Sequence, residues 1–145
     1  MRVLEVGPGN GRYTLATARR VGQDGQVVAV DIEPKMVERV RSRAGAEGVT
    51  NVEARLADVY GLPFDNGSFD AAYMIAVIGE IPDPDRAMRE FYRVLRPGGT
   101  LAFSELLLDP DYPLASTLVR RAGAAGFRLR ERIGGLWHYT LVFEK

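Results

Sequence analysis

Three glycines in the spacing G-x-G-x-G, Gly7, Gly9 and Gly11, and an acid, Asp31, at the end of the next apolar run are the residues here best suited to chemistry. A glycine-rich turn lets backbone approach a ligand without obstruction by Cβ, and a helix that starts there offers free N–H groups to negative charge. A carboxylate at the end of the following strand can accept hydrogen bonds from ribose hydroxyls. Together they describe a site for a nucleoside-containing cofactor, and two cofactors compete for it. The dinucleotide fingerprint G-x-G-x-x-G requires a third glycine at position 12, where this chain has Arg12. Taken alone, the loop also reads as nothing more than a tight strand–helix turn.

Proton transfer has three candidates further along the chain: Glu80, Glu105 and His138. His138 is the only histidine and there is no cysteine. Multi-histidine sites, thiolate zinc sites and cysteine nucleophiles are therefore excluded, and no metal site is expected.

The elements that must position these residues alternate in type. Residues 3–6 read as a strand stopped by the glycine loop, and 13–21 as a helix ended near Gly22. A second strand, 26–30, runs into Asp31; a helix over 35–46 follows, with Pro34 suited to its first position. Further strands are expected at 52–57, 69–76 and 100–107, and helices at 85–95 and 114–125. Pro97-Gly98-Gly99 reads as the turn before the fifth strand. Two alternating stretches, 127–133 and 136–143, separated by Gly134-Gly135, predict a closing hairpin. Its Arg128, Arg130 and Arg132 alternate and are expected on one solvated face. Strand–helix alternation implies a parallel α/β sheet with helices on both faces.

With 145 residues, 46% of them hydrophobic, one domain over residues 1–145 is expected. A chain of this size can bury roughly 68–70% of its surface without metals or disulfides. Basic and acidic residues cancel, 19 against 19, so no global field draws nucleic acid or an anionic membrane. The longest uncharged apolar stretch, 71–79, is far short of the roughly 20 residues of a membrane span, and no signal peptide opens the chain. A cytoplasmic enzyme or binding domain is expected.

Val3-Leu4-Glu5-Val6-Gly7-Pro8-Gly9-Asn10-Gly11 resembles motif I of the class I S-adenosylmethionine (SAM) dependent methyltransferases. The resemblance continues in order along nearly the whole chain. Val28-Ala29-Val30-Asp31 resembles the acidic strand after motif I, and Ala57-Asp58-Val59 the adenine-contacting element. Residues 62–70 resemble the turn before strand four, and Leu95-Arg96-Pro97-Gly98-Gly99-Thr100-Leu101 the turn before strand five. The pattern is similar to that of the ubiquinone/menaquinone-biosynthesis type. It implies a Rossmann-like three-layer α/β/α fold on a seven-stranded mixed sheet of order 3-2-1-4-5-7-6, the last strand antiparallel.

The resemblance also implies roles. Glu5, Gly7 and Gly9, with Gly11 in the same loop, would frame the methionine part of SAM, and Asp31 would hold the ribose. Asp58 and the Val59 backbone would meet the adenine, with Ile32 packed on its face. Tyr13 and the segment from Met74 to Ala76 would line the cleft near the sulfonium. Glu80 and His138 are the tentative bases. The segment after strand four lacks the histidines that many relatives carry, and the Asn/Asp-Pro-Pro-Tyr/Phe signature of nucleobase methylation is absent, so a small-molecule acceptor is favoured over RNA. Most relatives have a helical segment before motif I that covers the cleft. This sequence begins at the strand, and a homodimer in which a second copy supplies the cover is expected. A SAM-binding module without catalysis and, further off, an RNA methyltransferase or a nicotinamide-dependent oxidoreductase are the alternatives.

Overall fold

The computed structural model describes residues 1–145. Its strands are β1 (Arg2–Val6), β2 (Gln26–Asp31), β3 (Val52–Leu56), β4 (Phe69–Ile75), β5 (Leu95–Leu106), β6 (Arg128–Gly134) and β7 (His138–Glu144). Its helices are α1 (Arg12–Val21), α2 (Pro34–Ala46), α3 (Pro84–Val94) and α4 (Ala115–Ala124), with a 3₁₀ turn at Ile78–Glu80. All seven strands join one sheet in the order β3-β2-β1-β4-β5-β7-β6. The first five are parallel, and β7 runs antiparallel between β5 and β6. The expected order and the reversed last strand are both present. The order reverses between β1 and β4, so the crevice beyond their carboxyl ends is where a ligand should bind.

Local chemistry explains the helix boundaries. Pro34 and Pro84 open α2 and α3 at positions where a missing N–H costs nothing. Asp83 caps α3 by accepting from the Arg86 N–H at 3.1 Å. From α3, Ala87, Met88, Phe91 and Val94 are buried on one stripe, facing the sheet.

The two faces of the sheet differ. From Gly99 to Glu105 in β5 and from Tyr139 to Glu144 in β7, residues alternate between buried and half-buried. Leu101, Phe103, Leu141 and Phe143 lie under α3 and α4 in a core cluster of 24 buried residues. On the other face α1 and α2 cover the β1–β3 half with two small clusters, built around Val3, Ala18 and Val27 and around Val37, Val40 and Ala54.

Three local expectations are corrected. First, Pro97-Gly98-Gly99 is not a turn ahead of the fifth strand but part of β5, which begins at Leu95 opposite Phe69. A register shift between Phe69 and Ala71 takes up the extra residues, and Gly98 at φ +77 donates to the Lys145 carbonyl at 2.9 Å. Second, the hairpin connection is residues 135–137. Gly134 belongs to β6 at φ +89, where a Cβ would overlap the His138 carbonyl oxygen. Third, the three arginines of β6 do not share a face. A bulge between Leu129 and Glu131 inserts one residue, which inverts the alternation beyond it. Arg128 and Arg130 both reach Glu144, whereas Arg132 lies over the Tyr139 ring on the opposite side. Every residue of β6 is exposed.

Candidate functional site

A cleft of about 630 Å³ opens at the carboxyl ends of β1, β2 and β4, lined by Gly7, Gly9, Asp31, Ile32, Asp58, Val59 and their neighbours. That volume falls within the roughly 300–1,000 Å³ typical of small-molecule and cofactor sites. It lies at the point where the strand order reverses.

The glycine loop is shaped by backbone conformation. Gly7 stands at φ +74 and donates to the Val30 carbonyl at 3.0 Å, tying the loop to β2. A Cβ there would come within 2.6 Å of Val77 Cγ2. Gly9, at φ +56, has open space where its Cβ would be, so its backbone is free to touch a ligand. Gly11 serves a different end. At φ +79 it is the N-cap of α1, and a Cβ on it would meet Val40 of α2 rather than the cleft. The first turn of α1 carries no acidic residue, so its free N–H groups keep their affinity for negative charge.

Two carboxylates stand on the cleft wall, each held by an Asx turn. Asp31 Oδ1 accepts from the Glu33 N–H at 2.9 Å, and Asp58 Oδ1 accepts from the Tyr60 N–H at 2.9 Å. Each keeps its second oxygen without a protein partner. Between them, Ile32 exposes 71% of its surface into a wall that also holds Val59. An isoleucine left this bare, beside a buried valine and between two carboxylates, suits a flat aromatic group with a polar ribose attached. The open space at Gly9 is where a backbone-bound chain can continue from it.

The remaining residues singled out in the sequence divide. Glu80 lines the cleft. Glu5 does not: its side chain is 2% exposed on the α1 side of the sheet, where its carboxylate accepts from the Thr14 hydroxyl. Burial pushes its carboxyl up to about 7, against the hydrogen bonds from Thr14 and Tyr73. Burial, reinforced by the charge of Glu5, also raises the Tyr73 phenol above its ordinary range. Met74 is fully buried in the main core. Tyr13 is half exposed and borders a second hollow of about 320 Å³ with Thr17, Tyr73 and Ser104, which shares Ile75 with the main cleft. His138 lines neither hollow, and its Nε2 is 3.0 Å from Ser104 Oγ. Glu105 is buried on the α3/α4 face, outside the lining.

Glu33, Met36, Val77, Ile81 and Pro82 also line the cleft, and no spacing in the sequence marks them. Ala76 lines it in an unusual state. It is the only non-glycine residue with positive φ, +53, and its N–H donates to the Ser104 carbonyl at 2.8 Å. Such a conformation costs about 1–2 kcal/mol, so surrounding contacts hold the cleft floor in place.

A doubly wound sheet with a glycine cradle and two rim carboxylates at its switch point defines a nucleoside-cofactor-binding protein of Rossmann type. Comparison with known proteins narrows this. Residues 4–103 match the family described as methyltransferase domain. The chain is 36% identical over 135 residues to the ubiquinone/menaquinone biosynthesis C-methyltransferase UbiE of Escherichia coli (strain K12 / DH10B), covering 92% of this chain and 52% of that one. It is 34% identical over 111 residues to the arsenite methyltransferase of Halobacterium salinarum, covering 77% of this chain and 28% of that one. The chain thus spans between about a quarter and about half the length of these relatives. A crystal structure of a SAM dependent methyltransferase from Aquifex aeolicus has the same fold, with a TM-score of 0.93 over 99% of this chain and 81% of that one, at 23% identity. The chain belongs to the class I SAM-dependent methyltransferase family, whose cofactor is SAM.

Proposed function

We propose that this chain transfers a methyl group from SAM to a small-molecule acceptor. The observation that carries the reading is the convergence of Gly7, Gly9, Asp31 and Asp58 on one cleft at the switch point of the sheet. The Gly7 and Gly9 backbone approaches the methionine part, the free oxygen of Asp31 accepts from the ribose, and Ile32, Asp58 and Val59 hold the adenine. Gly11, Glu5 and Tyr13 support this loop and its helix from behind. When bound, the cofactor supplies a methyl group already activated on a sulfonium. The protein's task is then to align an acceptor and keep water out. Glu80, which lines the cleft, takes a proton from an acceptor hydroxyl in this reading, and His138, 3.0 Å from Ser104 and outside the lining, is the second candidate base.

Two observations favour a small acceptor. One relative is named for ubiquinone/menaquinone biosynthesis and the other for arsenite, and both names suit a small acceptor. These 145 residues carry zero net charge, which suits a polynucleotide poorly. They also contain no cysteine, so thiolate capture of arsenite is outside their chemistry. No helix is long and apolar enough to cross a membrane.

The test is calorimetric titration of the chain with SAM and with its demethylated product, repeated in the presence of NADH. Micromolar binding of both, undisturbed by NADH, is expected; binding of NADH in place of SAM would overturn the reading. Labelled SAM offered with a fractionated lysate then reports the acceptor. Label entering only RNA would refute the small-molecule assignment.

A further inference from the structure

The second hollow, about 320 Å³ in volume, takes no part in holding the cofactor. It opens on the α1 face of the sheet, where Tyr73 and Ile75 of β4, Ala102 and Ser104 of β5 and Thr140 of β7 form a floor in register across three neighbouring strands. Tyr13 and Thr17, four residues apart and so on one stripe of α1, stand along its side. We propose that this hollow holds the methyl acceptor, a neutral, hydroxyl-bearing molecule of about one or two rings. Calling the occupant an acceptor rests on the methyl-transfer reading.

Continuity with the cofactor cleft is the first argument. Ile75 lines both spaces, so they adjoin at the end of β4. Ser104 ties them together a second time. Its side chain lines the hollow, while its carbonyl accepts at 2.8 Å from the N–H of Ala76, the cleft residue held at φ +53. A conformation that costs energy persists only where its surroundings fix it, so the boundary between the two spaces is rigid. An acceptor in the hollow and SAM in the cleft then meet across Ile75 and Ala76, and alignment of that kind is what methyl transfer requires.

The lining selects the occupant. No lysine, arginine, aspartate or glutamate lines the hollow, so a carboxylate, a phosphate or an ammonium group finds no counter-charge there. Ile75 and Ala102 supply an apolar floor, and the half-exposed Tyr13 ring at the side offers a face to a flat molecule. A volume near the lower end of the range for small-molecule sites limits its size.

Two hydroxyl pairs give the hollow its polarity. On the α1 side, Thr17 Oγ1 lies 3.0 Å from the Tyr73 hydroxyl oxygen. Tyr73 donates its hydrogen to the buried Glu5, so the Thr17 hydroxyl donates to Tyr73 and keeps lone pairs for a ligand O–H. On the β7 side, Ser104 Oγ lies 3.0 Å from Thr140 Oγ1 and 3.0 Å from His138 Nε2. Thr140 spends one contact on Ser104 and keeps hydrogen-bonding capacity for a second ligand oxygen. Oxygens on two sides of one ring match this arrangement.

Resorcinol, a neutral ring with two hydroxyl groups, is the probe, with benzoate and toluene as its charged and oxygen-free comparators. Each is titrated into the full chain without SAM and followed by backbone amide NMR shifts. Saturable resorcinol binding in the roughly millimolar range is expected, with larger shifts at Thr17, Ser104 and Thr140 than at Ile32 and Val59 of the cleft. Benzoate and toluene should each bind at least about fivefold more weakly. Ala102→Leu, which fills the floor, should weaken resorcinol by about tenfold or more, and Thr140→Val, a near-isosteric change, by about fivefold. Shifts confined to the cleft, equal binding of the three probes, or an unchanged resorcinol affinity in a folded Thr140→Val chain would overturn the acceptor site. Calorimetry with SAM is read separately. SAM bound while resorcinol leaves the hollow empty would overturn the acceptor site alone, and resorcinol in the hollow of a chain that does not bind SAM would overturn the methyl-transfer reading alone.

Discussion

Beneath α3 and α4, β5 and β7 present Leu101, Phe103, Leu141 and Phe143, all fully buried, with Phe103 edge-on to both Phe91 and Phe143 at 6.1 Å. On their other side the same strands present Ala102, Ser104, Thr140 and Val142, half-buried, and the contacts there are polar: Ser104 Oγ lies 3.0 Å from both Thr140 Oγ1 and His138 Nε2. Alternate residues of one strand thus do opposite work. One face supplies stability through aromatic and aliphatic burial, and the other holds hydroxyls and the buried Glu5 near the second hollow.

Substitutions on the two faces sharpen or break this contrast. Phe103→Ala, in the dense face, should cost about 3–5 kcal/mol, read as a lowered urea midpoint. Glu5→Gln probes the other face through pH. Burial pushes the folded carboxyl up to about 7, whereas an unfolded glutamate ionises near about 4.3. The advantage this gives the folded state is complete below the unfolded pKa and is lost as pH rises through about 7. Relative to the wild type, Glu5→Gln should therefore gain roughly 2–3 kcal/mol between pH 5 and pH 8. A constant difference across that window would mean that Glu5 is not a strained buried acid.

Asp31→Ala acts mainly on the cleft. It should weaken SAM binding about tenfold or more, roughly 1–3 kcal/mol, while the midpoint of the ligand-free chain falls only by the lost turn bond to the Glu33 N–H, about 1 kcal/mol. The smallest effect is expected from Thr140→Ala, about 1 kcal/mol or less from a hydroxyl contact on the half-buried face. A loss as large as that of Phe103→Ala would erase the distinction between the faces.

Where a residue type has only one backbone use, the sequence showed its place. Gly7 and Gly9 sit at positive φ, Pro34 opens α2, and Asp31 ends its strand, each where the spacing puts it. The strand order and the reversed β7 followed from the resemblance carried by those motifs. Features fixed by partners distant in sequence were hidden. Pro97-Gly98-Gly99 carries every mark of a turn, yet pairing with β4 and with Lys145 draws it into a strand. The parity of the β6 arginines depends on a bulge that no residue type announces. Ala76 bears no sign of its positive φ. Gly11 and Tyr13 belong to the glycine motif, but no spacing tells that a Cβ on Gly11 would face Val40 or that Tyr13 borders the second hollow. Tyr73 and Ser104 come to one hollow only because β4 and β5 are neighbours.

At the far edge of the sheet, the bulge and arginines of β6 have a colloidal consequence. An exposed last strand is a template on which another molecule's strand can grow, and repeated growth makes fibres. Here the extra residue spoils the ladder partway along, and Arg128 and Arg132 project charge on opposite sides of it. An incoming copy of the same edge would meet like charges out of step with its own hydrogen bonds. The sheet ends at seven strands, and the bulge and the arginines make its β6 edge a poor template for an eighth.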